Sequence, residues 1–159
     1  MSKITGNLQS LSAAHLSAEE KLITGIRVNL KGTALDVGIL SLGGAPAAIM
    51  GSETIEEGRQ QAKDAGIPLC QQMALGLTNK RIIIWKRSAF TGKPKEIIGE
   101  IPLSNIKDVS FEAGTFGDKL IFNFTEDKVL ELESVKVDNG KGFADNLRKL
   151  ISNNLLKPF

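Results

Sequence analysis

The side chains with chemical reach in this 159-residue chain gather at one place. Between Gly66 and Lys95 stand six bases, Lys80, Arg81, Lys86, Arg87, Lys93 and Lys95, and no acid. Four of them, Lys86, Arg87, Lys93 and Lys95, flank one short segment centred on Phe90. Four cations around a loop can hold an anionic head group or an acidic peptide through charge-assisted hydrogen bonds. An aromatic side chain beside them suits an interface. The competing reading is a solvated strand end whose charges discourage unwanted strand pairing. Lys86, Arg87, Phe90, Lys93 and Lys95 are the candidate binding residues. From Glu96 to Asp138 the balance reverses, ten acids against four bases, so a basic end and an acidic end are expected.

Other chemistry is sparse. A zinc site needs three or four ligands, and this chain offers one histidine, His15, and one cysteine, Cys70, far apart in sequence. A nucleophilic thiol needs a neighbour that stabilises the thiolate, and none accompanies Cys70. The 16 glycines include no GxGxxG and no GxxxxGK[ST], so no phosphate cradle is signalled. No cofactor, metal or catalytic constellation is expected. A net charge of +2, no Tyr and one Trp argue against a nucleic-acid surface. With 42% hydrophobic and 24% charged residues, the composition is that of an ordinary globular protein. The single cysteine permits no internal disulfide, and the first residues lack a secretory apolar core. The expected location is the cytoplasm, with membrane association as the second reading.

The elements that must position the basic segment are mostly strands. Ala74–Arg87 has two apolar runs around Asn79-Lys80 and predicts a hairpin, Gln71–Thr78 with Arg81–Arg87, in which Asn79 takes the left-handed turn position. Ile82, Ile83, Ile84 and Trp85 are consecutive, which predicts that both faces of that strand are covered. Glu96–Leu103 and Ile106–Glu112 follow as strands. Leu120, Phe122 and Phe124, then Leu130 and Leu132, alternate with residues that are polar apart from Ile121 and predict a half-buried hairpin. Phe143, Ala144, Leu147, Leu150 and Ile151 recur at helical spacing and predict a closing amphipathic helix.

Before residue 69 the pattern is weaker. Met1–Leu16 reads as a loosely held terminus. Ser17-Ala18-Glu19-Glu20 matches a capping box and predicts a short helix with Leu22, Ile23 and Ile26 inward, while Arg27–Lys31 alternates as a strand does. Val37–Ser52 carries no charge. It reads as two short buried segments around a turn, with a loop inserting into a membrane or partner as the alternative; it is shorter than an ordinary bilayer span. Thr54–Ala65 reads as a peripheral helix.

LTNKRIIIWKR (Leu77–Arg87), GKPKEIIGEIPLSNIKDVSFE (Gly92–Glu112) and KLIFNFTEDKVLELE (Lys119–Glu133) resemble the bacterial pleckstrin-homology-like family, over roughly residues 69–156. The resemblance implies an α+β, mainly β fold: a strongly curved antiparallel sheet of about seven strands, a partly open barrel capped by a C-terminal amphipathic helix, here with a helical N-terminal extension. Six strands follow Leu69, so the seventh must come from a split segment or from Arg27–Lys31. The expected division is an extension over 1–68, partly helical with an apolar Gly/Ala segment, and a PH-like domain over 69–159. The family implies a binding scaffold rather than an enzyme. The first expectation is a non-enzymatic module for protein–protein interaction or self-association, through charge polarity and an exposed strand edge. The second is a peripheral membrane module in which the basic loop meets anionic lipid. An enzyme ranks last, since a function must be argued from a site.

Overall fold

The computed structural model describes residues 3–30, 72–88, 90–114, 117–125 and 128–156. Seven strands form one antiparallel sheet: β1 (Leu22–Leu30), β2 (Gln72–Thr78), β3 (Arg81–Arg87), β4 (Pro94–Pro102), β5 (Ile106–Glu112), β6 (Asp118–Phe124) and β7 (Val129–Ser134). Their order is β4-β3-β2-β1-β7-β6-β5. The two ends, β4 and β5, do not pair, so the sheet is open. Among the described residues two α-helices flank it, α1 (Lys3–Ser12) and α2 (Gly140–Leu156). This is the mainly β, PH-like architecture that the family resemblance implies. The segments Val37–Ser52 and Thr54–Ala65, and Cys70, lie outside the described residues.

The seventh strand is β1, inside the expected extension of residues 1–68, and it holds the centre of the sheet. It pairs with β2 from Leu22↔Thr78 to Asn29↔Gln72 and with β7 from Val28↔Ser134 to Leu30↔Leu132. The helix expected to start at Ser17 is absent, and Leu22, Ile23 and Ile26 belong to the strand. Half of the capping box nonetheless forms, because the Ser17 amide donates to Glu20 Oε1 at 3.1 Å across a turn. Alternation at Leu22–Leu30 and pairing on both sides outweigh the local cap signal.

One face of the sheet holds the main core. Ile26 and Val28 of β1, Leu75 and Leu77 of β2, Ile82 and Ile84 of β3, and Leu120 and Phe122 of β6 are buried there. Helix α2 closes it with Phe143, Ala144, Leu147 and Ile151, the predicted stripe. Asn139, at φ 61°, caps that helix by accepting the Gly142 amide on Oδ1 at 3.1 Å.

The second face explains the unbroken apolar run of β3. Ile83 and Trp85 turn away from the main core and pack with Ala74, Ile4 and Leu8. What covers them is α1, so Lys3–Ser12 is no loosely held terminus. Gly25 and Gly76 make room for this layer. A Cβ at Gly25 would collide with the Leu8 side chain, and one at Gly76 would lie 2.7 Å from Trp85 Cζ3. The Thr5 hydroxyl ties α1 to β1 by accepting the Gly25 amide at 3.2 Å.

Candidate functional site

The hairpin β2–β3 forms as expected, with Leu77↔Ile82 next to the turn, but its chemistry differs. Among the described non-glycine residues only Asn139 has a positive φ, so Asn79 is not left-handed. The turn is closed by the Thr78 hydroxyl, which accepts the amides of Lys80 and Arg81 at 3.1 and 3.0 Å. The Asn79 side chain is spent on the N-terminal strap: its Oδ1 accepts the Lys21 amide at 2.8 Å and its Nδ2 donates to the Glu19 carbonyl at 3.0 Å.

Beside this turn lies a charged cluster that sequence reasoning missed. Arg81 donates from Nε to Glu20 Oε2 at 2.9 Å, from Nη2 to the His15 carbonyl at 2.8 Å, and from Nη1 to Glu100. Thr78 Oγ1 adds a 2.7 Å bond to Glu20 Oε2. The hydrogen bonds from Arg81 hold the buried Glu20 carboxyl down at about 2 against desolvation, from an ordinary 4.5. The cluster borders a shallow cleft of about 450 Å³. Its charges are consumed internally, so its work is to fasten residues 15–20 to the hairpin. Among the described residues no group of three or more His, Cys, Asp or Glu side chains is placed to hold a metal ion.

The basic segment is the β3–β4 loop. Ser88 organises it: the amides of Phe90 and Thr91 donate to Ser88 Oγ at 3.2 and 3.3 Å, and the Gly92 amide donates to the Ser88 carbonyl at 2.8 Å. The Lys93 amide donates to Thr91 Oγ1 at 3.3 Å. Gly92 sits at φ +69°, a conformation that glycine adopts without strain. Four successive amides are thus used inside the loop. Phe90 stands at its tip, 99% exposed.

The five candidate residues divide. Lys86, Lys93 and Lys95 are exposed, with Lys86 opposite Glu96 in the ladder. Arg87 is the correction. It is buried and donates to the Met73 carbonyl at 2.8 Å, the Val28 carbonyl at 3.2 Å and Asn29 Oδ1 at 2.6 Å. It pins the ends of β1 and β2 and is no surface cation. The reason is topological: β1 ends and β2 begins next to the end of β3, and a guanidinium supplies several donors to carbonyls left there.

Lys93 also lines a cleft of about 430 Å³ between α1, β1, the loop and the single turn of 3-10 helix Lys136–Asp138. Its other walls include Ile4, Arg27, Pro94, Val137 and Asp138. Val137 is 79% exposed. Asp138 is buried and accepts three bonds from Arg27: from its amide and Nε at 2.8 Å each and from Nη2 at 2.9 Å. Nothing local in the sequence signals this pair, since 111 positions separate its members.

A family model described as a bacterial PH domain matches residues 52–149. The chain belongs to the bacterial PH domain family. Two solved structures similar to this PH domain are both from Shewanella. One is a DUF1696-family protein with a pleckstrin-homology domain from Shewanella loihica PV-4, 17% identical over 94% of this chain and 91% of that one, with a TM-score of 0.47. The other is a pleckstrin-homology domain from Shewanella amazonensis SB2B, 15% identical over 92% and 97%, with a TM-score of 0.48. No curated protein matches the chain. Among the described residues no helix is long and apolar enough to cross a membrane.

Proposed function

We propose that this PH domain is a non-enzymatic, cytoplasmic binding module that contacts protein, self-association included, through its β3–β4 loop. The observation that carries the reading is Phe90, fully exposed on a loop whose own hydrogen bonds hold it in one shape. An ordered, exposed aromatic loses little entropy on contact and is the kind of residue that anchors interfaces. The adjoining cleft favours a protein over a flat bilayer, because a peptide can enter it. Two features speak against a specific phosphate head group. The loop amides from Phe90 to Lys93 are already bonded, and Arg87 faces inward.

Light scattering behind a sizing column tests this at low and high salt, with and without anionic liposomes. A larger species at low salt, indifferent to liposomes and lost in Phe90→Ala, is the expected result. The second reading, peripheral contact with an anionic membrane, is supported by the exposed Lys86, Lys93 and Lys95 around Phe90. Each lysine near such a surface contributes about 1 kcal/mol. Co-elution with liposomes that disappears when the three lysines become Glu would favour it.

A further inference from the structure

We infer that the cleft between α1, the β3–β4 loop and the Lys136–Asp138 turn binds a peptide segment in which an Asp or Glu side chain stands beside an aliphatic or aromatic one. The inference rests on the protein-binding reading and names the chemistry of the partner. Arg27 is the receptor group. Its Nε, Nη2 and backbone amide are all committed to Asp138, which fixes the plane of the guanidinium, while Nη1 has no partner among the described residues. The side chain is one-third exposed, against 4% for Asp138. A buried carboxylate therefore orients a cation that lines the cleft and, among the described residues, keeps Nη1 for a second carboxylate, the planar recognition for which arginine is suited.

Lys93 lines the same cleft and has no ion pair among the described residues, so among these residues two cations meet one buried, already paired acid. The local surplus is positive and selects an acidic segment by charge complementarity. Ile4, Pro94 and Val137 supply apolar walls, and Phe90 adjoins the rim through Thr91. A volume of about 430 Å³ falls within the range of small-ligand pockets and admits a few side chains rather than a folded surface. With the amides of Phe90, Thr91, Gly92 and Lys93 used inside the loop, an isolated phosphate finds no backbone cradle. A carboxylate carried on a peptide gains the apolar contacts that phosphate lacks.

Fluorescence anisotropy of the full chain with labelled, end-blocked hexapeptides tests the assignment. One probe alternates Glu and Leu, the second has Gln for every Glu, and unlabelled inorganic phosphate serves as competitor. The Glu peptide is expected to bind saturably, the Gln peptide at least about tenfold more weakly, and phosphate not to displace it. Lys93→Glu, at an exposed site that leaves the fold intact, is expected to weaken the Glu peptide about tenfold, and Val137→Asp similarly. Arg27→Ala leaves the buried Asp138 carboxylate without its cation, holding only the backbone amide of residue 27, and can unfold the chain, so Arg27→Lys, which keeps the charge and loses the fork, is the variant of choice. Equal binding of the Gln peptide, indifference to Lys93→Glu, or displacement by phosphate overturns the assignment. So does binding of anionic vesicles, in place of the peptide, with the same Lys93 dependence. If the peptide fails while Phe90→Ala still abolishes self-association, the cleft assignment falls and the binding module stands. If neither probe nor variant changes any association, both fall.

Discussion

Glu20 and Arg87 carry charges that do their work inside the molecule. Glu20 has its pKa lowered to about 2, so in the folded state it releases its proton more readily than in the unfolded one. The stability this supplies is complete above the unfolded value of about 4.5 and is lost as pH falls toward 2. Chemical denaturation at pH 7, 4 and 2.5 is expected to show the wild type losing stability across that window. Glu20→Gln should be weaker by on the order of 2 kcal/mol at pH 7 and should show a flatter dependence. Arg87→Ala strips the partners from the Met73 and Val28 carbonyls and from Asn29. Urea melts are expected to place it about 2 to 3 kcal/mol below wild type, with Lys86→Ala and Lys95→Ala within about 0.5 kcal/mol. A result in which all three variants behave alike would contradict the inward placement of Arg87.

At the scale of elements, α1 is the piece whose loss has the widest effect. Ten residues are too few for a stable isolated helix; α1 exists because Ile4 and Leu8 cover Ile83 and Trp85 and because Thr5 bonds to Gly25. Leu8→Ala is expected to cost about 2 to 4 kcal/mol, the range for a fully buried leucine. The fluorescence of Trp85, the chain's one tryptophan, gives a direct check. The variant should show a red-shifted emission before the global transition if α1 lifts first. An unshifted native spectrum would mean that α1 is not what keeps water from the indole.

For the whole molecule, the open ends of the sheet bear on where a partner can dock. Strand β4 is bounded by Pro94 and Pro102, is exposed and charged at Lys95, Glu96 and Glu100, and has irregular register at Ile98 and Lys95. Bulges, prolines and charges are the devices that blunt an edge. At the other end α2 lies against β5, and Arg148 Nε takes up the Val109 carbonyl at 2.9 Å. The strand-edge route to self-association expected from the sequence thus meets protection at both ends. Nor are the charges split into two clean ends: Glu96 faces Lys86 in the ladder, Asp118 pairs with Lys136 at 3.1 Å, and Asp138 pairs with Arg27. Ile97→Lys, at an exposed position of the edge strand β4, is expected to leave any self-association unchanged, while Phe90→Glu abolishes it, as read by sedimentation velocity. The opposite pattern would return the contact to the strand edge.

Six strands and the closing helix were legible because their signals are local. Alternation at Leu120–Phe124 and Leu130–Leu132 and the helical spacing from Phe143 to Ile151 report which face of an element meets a core, whatever that core is. The run Ile82–Trp85 even announced a second cover without identifying it. Identity of the cover was illegible: α1 has two fully committed apolar residues, Ile4 and Leu8, too few to make a periodicity. The strand Leu22–Leu30 was obscured by the capping signal Ser17–Glu20 just before it, and was decided by partners about fifty and one hundred positions away. By itself the sequence determined a mainly β chain with a basic loop carrying Phe90. Tertiary structure alone decided which of that loop's cations face water and which cleft they border, because burial and ion pairing depend on distant chain segments meeting.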